Sequence, residues 1–267
     1  MSGLDWTRCP VCGEALSAVG GALRCPTRHS FDVARQGYVN LLGRAAPANA
    51  DTPAMLDARA RFLASGHYDP IADAVAGAAR GERIAEVGAG TGFYLARVLD
   101  AHPEAEGLAT DVSVAAAKRA ARAHPRAASI VADTWAGLPI ADGALDCVVC
   151  VFAPRNPEEF GRVLGPGGRL VVAQPSSEHL IELRERHGLL GVSPDKSDRL
   201  GAAFPHWAVA SRDELRYRAE LTAGQVADLI AMGPNAFHGL PAEADRADVS
   251  IAVDVVTLIS PEVARIG

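Results

Sequence analysis

The stretch that decides the fold of this chain is Ile84-Ala85-Glu86-Val87-Gly88-Ala89-Gly90-Thr91-Gly92. An apolar run that contains one acid leads into three glycines at alternate positions. After them, residues 93–99 carry apolar side chains at helical spacing, so the stretch predicts a buried strand, a tight turn and a helix. Glycine is needed there because a Cβ would block both the turn and the approach of backbone N–H groups to a ligand.

A second predicted strand, Glu106 to Thr110, ends in Asp111, which lies 19 residues after Gly92. In doubly wound α/β folds an acid at this strand tip binds a pair of ribose hydroxyls. The glycines follow the pattern G-x-G-x-G, which resembles motif I of the class I S-adenosylmethionine-dependent methyltransferases. A nicotinamide enzyme, with the pattern G-x-G-x-x-G, is the alternative. The resemblance implies a Rossmann-like α/β sheet whose glycine turn faces the amino-acid part of S-adenosylmethionine, with Asp111 on the ribose.

Composition sets the class of protein. The chain has 267 residues, is 49% hydrophobic and contains no apolar run of membrane-spanning length, so we expect a soluble cytoplasmic protein. Five cysteines in a chain of this length do not make a disulfide framework. The net charge is −6, but residues 1–44 carry five arginines against three acids. Contact with a polyanion is therefore expected near the N-terminus.

The first forty residues contain a metal-binding pattern. Cys9-Pro10-Val11-Cys12 is followed by Cys25-Pro26-Thr27-Arg28-His29, and residues 18–24 between them read as a hairpin. Two ligands on each of two knuckles enclose a tetrahedral zinc. Four protein ligands leave no open position for catalysis, so one structural zinc is predicted at Cys9, Cys12, Cys25 and His29. The alternative is a set of unconnected thiols and imidazoles.

With this zinc module the chain resembles, over almost its whole length, the 23S ribosomal RNA guanine-N1 methyltransferases. One branch of that family confers macrolide resistance, and the Ala-, Arg- and Gly-rich composition favours that branch. The resemblance implies S-adenosylmethionine and zinc as cofactors and 23S rRNA as partner; a homodimer is a further expectation. The matching residues are Cys9, Cys12, Cys25, His29, Phe31–Leu42, Gly66-His67-Tyr68, Glu86–Gly92 and Val151-Phe152-Ala153-Pro154.

The predicted cofactor site combines the glycine turn with residues from other segments. Its members are Tyr68, Glu86, Gly88, Gly90, Gly92, Phe93, Asp111, Asp133 and His179. Tyr68 and His179 enter through the resemblance alone, and Asp133 follows the third predicted strand, where this fold meets the adenine amino group. The alternatives are a packed tyrosine at a helix junction, a helix-capping Asp133 and an incidental histidine early in a new helix.

The predicted RNA-binding residues fall into two groups. Phe152, Arg155 and Asn156 leave the carboxyl end of the fourth predicted strand, where ligands bind in open α/β sheets and a base can stack on an aromatic ring. An ordinary loop is the alternative. Arg24, Arg28 and Arg35 of the zinc module, with Arg8, are expected to contact phosphates. A loop at Met232–His238 is expected near the target base.

Two regions are predicted: a zinc-binding RNA-recognition module at residues 1–43 and a methyltransferase domain at 44–267, in which 44–80 form a linker and lid helices. Cys147 and Cys150 lie three apart on a strand, point to opposite faces and belong to the core. No residue is identified as the general base.

The alternative functions are a small-molecule methyltransferase and a non-enzymatic RNA- or protein-binding zinc protein with a relic cofactor fold. The remaining predicted elements are strands 128–132, 145–152, 169–173, 215–221 and 249–258 and helices starting near 53 and spanning 70–79, 114–123, 157–164 and 223–232.

Overall fold

The computed structural model describes residues 3–189, 196–238 and 244–261 of the chain. Its strands are β1 Ser17–Val19, β2 Ala22–Arg24, β3 Ser30–Asp32, β4 Tyr38–Asn40, β5 Arg83–Val87, β6 Glu106–Asp111, β7 Ala127–Val131, β8 Leu145–Val151, β9 Leu164–Pro175, β10 Ala208–Leu221 and β11 Ala247–Ile259. Its helices are α1 Pro53–Leu63, α2 Asp69–Ala78, α3 Phe93–Ala101, α4 Val114–Ala120, α5 Pro157–Val163, α6 Ile181–His187, α7 Lys196–Ala203 and α8 Ala223–Ala231. Short 3-10 helices span Leu4–Trp6 and Pro234–His238.

Eight strands form one sheet in the order β10-β11-β9-β8-β5-β6-β7-β4. The strands from β9 to β4 run parallel, whereas β11 is antiparallel to both β9 and β10. After β5 at its centre, the chain builds outward through β6 to β7 and then returns to β8 on the other side of β5. Ligands of open α/β sheets bind beyond the carboxyl ends of the strands at this reversal. The doubly wound fold predicted from the sequence is confirmed.

Helices cover both faces of the sheet, and each face has its own apolar core. One core contains Phe62, Leu95 and Val149, from α1, α3 and β8. The other contains Val39, Ile130 and Phe160, from β4, β7 and α5. Cys147 lies in the first core and Cys150 in the second, and burial raises the pKa of both thiols to about 12. The prediction that they are core residues on opposite faces is confirmed.

The zinc module packs directly onto the main sheet. Its last strand, β4, pairs in parallel with β7 and forms the edge of the eight-stranded sheet. Leu4 and Leu23 are buried in the same core as Ile130. A Cβ added at Gly3 would lie 2.8 Å from the carbonyl oxygen of Gly107 in β6. The two regions therefore share one apolar core, and the proposed boundary after residue 43 follows a strand of the shared sheet.

Several local expectations are refined. Thr52 caps α1 by accepting from the Met55 N–H, whereas Asp51 binds an arginine instead. The strand predicted at 169–173 is longer than expected, because β9 spans Leu164–Pro175 and includes the glycine-rich residues 165–168. The expectation that His179 lies early in a helix is wrong, because it precedes α6 in a turn where Leu180 is left-handed. None of the described helices combines the length and apolar character needed to cross a membrane.

Candidate active site

The glycine turn between β5 and α3 has left-handed backbone at all three glycines, with φ values of 71°, 56° and 78°. The N–H groups of Gly88 and Ala89 donate to the Thr110 carbonyl, which ties the turn to the end of β6. A Cβ at Gly88 would lie 2.6 Å from the Cβ of Ala153, in the segment that follows β8. A side chain at Gly88 would therefore fill the gap between the carboxyl ends of β5 and β8.

Asp111 holds the far side of this turn. Its Oδ2 accepts from the Gly90 N–H at 2.9 Å, and its Oδ1 accepts from the Ser113 N–H at 2.8 Å. Burial raises the pKa of the Asp111 carboxyl, and these two amides oppose that effect. A carboxylate fixed in this way retains lone pairs for ribose hydroxyls.

Glu86 lies beneath the turn with 1% of its surface exposed. Its Oε2 accepts from the Leu95 N–H at 2.9 Å, which anchors the first turn of α3. Burial raises the pKa of Glu86 to about 8. Phe93, the first residue of α3, packs edge-on against Tyr94 at a centroid distance of 5.2 Å.

Tyr68, Phe152 and His179 form an aromatic cluster, although they come from three distant segments. The Tyr68 hydroxyl lies 3.2 Å from His179 Nε2, and Phe152 stacks against the His179 ring at 6.1 Å and 20°. His179 Nδ1 accepts from the Ala252 N–H at 3.2 Å. The hydrogen-bond pattern therefore assigns the neutral ring's proton to Nε2, which donates to Tyr68.

Phe152 also has a left-handed backbone, with φ of 52°, and 41% of its surface is exposed. Such a conformation is strained for a bulky residue, and strain of this kind clusters at functional sites. Tyr68 itself is buried and packs edge-on against Phe62, so it is also the packed tyrosine of the alternative interpretation.

The residues that follow β7 and β8 interlock. Asp133 accepts from the Trp135 N–H at 2.9 Å and pairs with Arg44, and no helix begins there, so the capping alternative is wrong. Asn156 does cap a helix, α5, and its amide also donates to the Thr134 carbonyl at 2.9 Å. Arg155 donates to Gln174 Oε1 at 2.7 Å.

Arg59 is a residue of this site that sequence reasoning missed. Its Nη1 lies 2.5 Å from Asp51 Oδ2, and its Nη2 donates to the Met232 carbonyl at 2.6 Å. The same Nη1 lies 2.6 Å from where a Cβ of Gly90 would stand. The signal was available, because helical spacing places Arg59 on the same face of α1 as Met55 and Phe62, which are buried.

The four predicted metal ligands come together as expected. The ligand atoms of Cys9, Cys12, Cys25 and His29 all lie within 4.8 Å of one another. The Cys12 and Cys25 sulfurs are 3.7 Å apart, close to the edge of a tetrahedron with Zn–S bonds of about 2.3 Å. Burial opposes ionisation of Cys25, but hydrogen bonds from Thr27 and the His29 amide lower its pKa to about 6. The donor set fits a closed, structural zinc site.

The module's arginines face solvent. Arg24, Arg28 and Arg35 are exposed, and none has an ion pair within the described ranges.

Comparison with known proteins agrees with this architecture. Residues 7–45 match the family model for the RlmA N-terminal zinc ribbon, and residues 84–168 match a methyltransferase domain. The YcgJ protein from Bacillus subtilis shares the fold, with a TM-score of 0.51 and 16% identity over 73% of this chain and 100% of that one.

Two relatives span nearly the whole chain. The 23S rRNA (guanine(748)-N(1))-methyltransferase of Streptomyces fradiae is 46% identical over 90% of this chain and 89% of its own. A protein of Micromonospora griseorubida, to which 23S rRNA guanine-N1 methyltransferase activity is assigned, is 47% identical over 98% and 97%. Zinc ribbon, glycine turn and sheet order thus occur together in a chain that belongs to the family of 23S rRNA guanine-N1 methyltransferases.

Proposed function

We propose that this protein transfers a methyl group from S-adenosylmethionine to N1 of a guanine in a hairpin loop of 23S rRNA. The observation that carries the proposal is the similarity to the Streptomyces fradiae enzyme, which is 46% identical over 90% of this chain. The zinc cluster and the glycine turn of this chain are both intact. Guanine 748, the position in that relative's name, is the first one to examine.

The cofactor residues are assigned as part of this proposal. S-adenosylmethionine supplies a methyl group on a sulfonium, so the leaving group needs little help. The glycine turn with Phe93 holds the amino-acid end, Asp111 binds the ribose and Asp133 the adenine, while Glu86 supports the turn from below. Tyr68 and His179, which are hydrogen-bonded to each other, are proposed as further neighbours of the cofactor. Catalysis then consists mainly of aligning N1 with the methyl carbon.

The target base is proposed to stack on Phe152. Its ring is exposed at the carboxyl end of β8 and lies 6.0 Å from Tyr68, so it adjoins the cofactor residues. N1 is on the Watson–Crick edge, and therefore a paired guanine would have to be unpaired first, at a cost of about a few kcal/mol. A loop guanine lowers that cost. Arg155 and Asn156 are proposed to contact the base or its neighbours, and the Met232–His238 segment to border the same cleft.

Two candidates for the general base are disfavoured by the hydrogen bonds. His179 Nδ1 accepts a backbone N–H and its Nε2 carries the proton, so the neutral ring has no open acceptor. Burial raises the pKa of Tyr68 well above its usual range, which keeps the hydroxyl protonated. The N1 proton must therefore leave to another group.

RNA phosphates are proposed to bind the module's arginines and an adjoining basic face. The module lies against the end of α4, because a Cβ at Gly37 would lie 3.7 Å from the Cβ of Ala121. There Lys118 and Arg122, which have no ion pair among the described residues, line a surface cavity of about 430 Å³. Positive charge on the module and on α4 favours a polyanion across both.

Three further parts of the proposal concern context. We propose that methylation confers macrolide resistance, as in the branch that the composition favours. We also propose a cytoplasmic location, where ribosomes are, and a homodimer. Drug-susceptibility assays with and without the gene test the first, cell fractionation the second, and light scattering on the purified protein the third.

Primer extension across 23S rRNA, from cells with and without the gene, tests the central activity. Methylation at N1 blocks Watson–Crick pairing, so reverse transcription should stop at one guanine only when the gene is present. The same stop with and without the gene would reject the proposal. Transfer to a small molecule and not to RNA would favour the alternative of a small-molecule methyltransferase.

A further inference from the structure

Arg59 occupies the space above the glycine turn that the absence of side chains leaves open. Its Nη1 stands 2.6 Å from the position of a Gly90 Cβ, and the guanidinium acts on the buried carboxyls of Glu86 and Asp111, whose pKa values it lowers against the effect of burial. The arginine therefore shares one electrostatic environment with the residues that hold the cofactor.

An arginine in this position is costly for folding alone. It lies on the apolar face of α1 with 23% of its side chain exposed, where an apolar residue would pack without desolvating a charge. Its recorded partners are Asp51 on one side and the Met232 carbonyl on the other. Because a guanidinium has five N–H donors, these contacts leave capacity for another anion.

We propose that Arg59 is the counter-ion for the carboxylate of the amino-acid part of S-adenosylmethionine, and that Asp51 holds the guanidinium in place when the cofactor is absent. The identity of this ligand rests on the proposed function. A planar guanidinium binds a carboxylate through two N–H groups, which a glycine turn without side chains cannot do. Arg59 also contacts Met232, so it connects the cofactor to the segment proposed to border the target base.

Calorimetry with two ligands separates this role from a structural one. S-adenosylhomocysteine carries the amino-acid carboxylate, whereas 5′-methylthioadenosine lacks it. Arg59→Ala should weaken the affinity for S-adenosylhomocysteine by about tenfold or more, as expected for a hydrogen bond to a charged group. The affinity for 5′-methylthioadenosine should stay within about twofold of wild type. Arg61→Ala is the matched control, because Arg61 is on the same helix but pairs with Asp228 and is 62% exposed. It should change neither affinity.

An equal loss of affinity for both ligands in Arg59→Ala would overturn the inference, because it would show that Arg59 only supports the fold of the cleft. Unchanged binding of both ligands would overturn it as well. If the alanine variant does not fold, Arg59→Gln removes the charge while keeping a donor for Met232 and should show the same selective loss. If wild-type protein binds neither ligand, the proposed cofactor fails and this inference with it.

Discussion

The four zinc ligands lie within residues 9–29, whereas the groups of the candidate active site come from positions as far apart as Asp51 and Ala252. A metal site of the first kind is defined by local spacing, and its ligands meet as soon as one hairpin forms. A site of the second kind exists only after the sheet has brought its strand ends together. The comparison predicts that damage to the two sites has different consequences.

The two regions are nevertheless joined. The module's β4 is an edge strand of the main sheet, and Leu4, Leu23 and Val39 are buried in the core below β7. The glycine turn lies two strands further in, between β5 and α3. Loss of zinc should therefore disturb the β7 edge more than the cofactor cleft.

Cys25→Ser provides the largest expected effect. Zinc binding contributes about 10–16 kcal/mol to the folding of comparable peptides, so this variant should lose the metal, the folded module and RNA methylation. Cofactor affinity should change by about 0.5 kcal/mol or less, as for distant independent sites. Metal analysis and calorimetry measure the two effects, and Cys147→Ala, a buried thiol outside the module, should retain zinc. Zinc-free wild type, purified without chelator, would contradict the assignment.

Gly90→Val should abolish cofactor binding while zinc remains bound. A valine there needs a φ of 56° and places its Cβ 2.6 Å from Arg59 Nη1, in the space that the ligand requires. Gly77→Ala is the control, since Gly77 lies in α2 with nothing within 4 Å of an added Cβ. That change should keep affinity and stabilise the protein by about 1 kcal/mol. Wild-type affinity in the valine variant would place the cofactor elsewhere.

Asp111→Ala should weaken S-adenosylmethionine by about 1.5–3 kcal/mol, the range for hydrogen bonds to a charged group. The variant also releases the N–H groups of Gly90 and Ser113, so the turn itself should loosen. Asp111→Asn keeps an acceptor for one of them and should lose less. Calorimetry checks the order of the three proteins, and equal affinity in all of them would remove Asp111 from the site.

Glu86→Gln should make stability less dependent on pH. The pKa of Glu86 in the folded protein is about 8, above the ordinary value of 4.5. The contribution of Glu86 to the free energy of unfolding is therefore fully present below pH 4.5 and is lost as the pH rises towards 8. Relative to wild type, the variant should gain up to about 1.4 kcal/mol per pH unit across that window. Denaturant unfolding at a series of pH values measures the difference, and parallel curves would show that Glu86 is ionised at neutral pH.

The smallest effect concerns RNA. Each phosphate contact contributes a slope of about −0.7 to −0.9 to the logarithmic dependence of affinity on salt. Arg24→Ala and Arg28→Ala should each flatten the slope by about one contact on a 23S hairpin fragment. Arg97→Ala is the control, because Arg97 is a partly exposed arginine of α3 that already pairs with Asp73, and this change should leave the slope unaltered. Coincident slopes for wild type and the Arg24/Arg28 double variant would assign recognition to Phe152–Asn156 and α4.

Sequence reasoning reached the two sites to different extents for a physical reason. Cys9, Cys12, Cys25 and His29 were found together because ligand spacing along the chain is itself the geometry. Gly88 and Asp111 were found because a strand–turn–helix unit and the next strand form a local pattern. Arg59 was not found, because helical spacing places it on the buried face of α1 but does not show which turn that face meets.

The same limit explains the other differences. The pairing of β4 with β7 joins residues 91 positions apart. Sequence spacing therefore assigned residues 38–40 to a separate module, whereas the structure makes them a strand of the main sheet. Tyr68 and His179 entered through family resemblance and meet only across the folded cleft. Asp133 was placed correctly at a strand end, but its contact with Arg44 required the fold.

The most direct test of the account is methyl transfer by the purified, zinc-loaded protein. The protein is incubated with S-adenosylmethionine and a transcript of a 23S rRNA hairpin that contains the guanine matching position 748, and the digested nucleosides are identified by mass spectrometry. The account predicts 1-methylguanosine in wild type and none with Cys25→Ser or Gly90→Val. A methyl group on another atom, or no transfer to RNA by a protein that binds both zinc and cofactor, would contradict it.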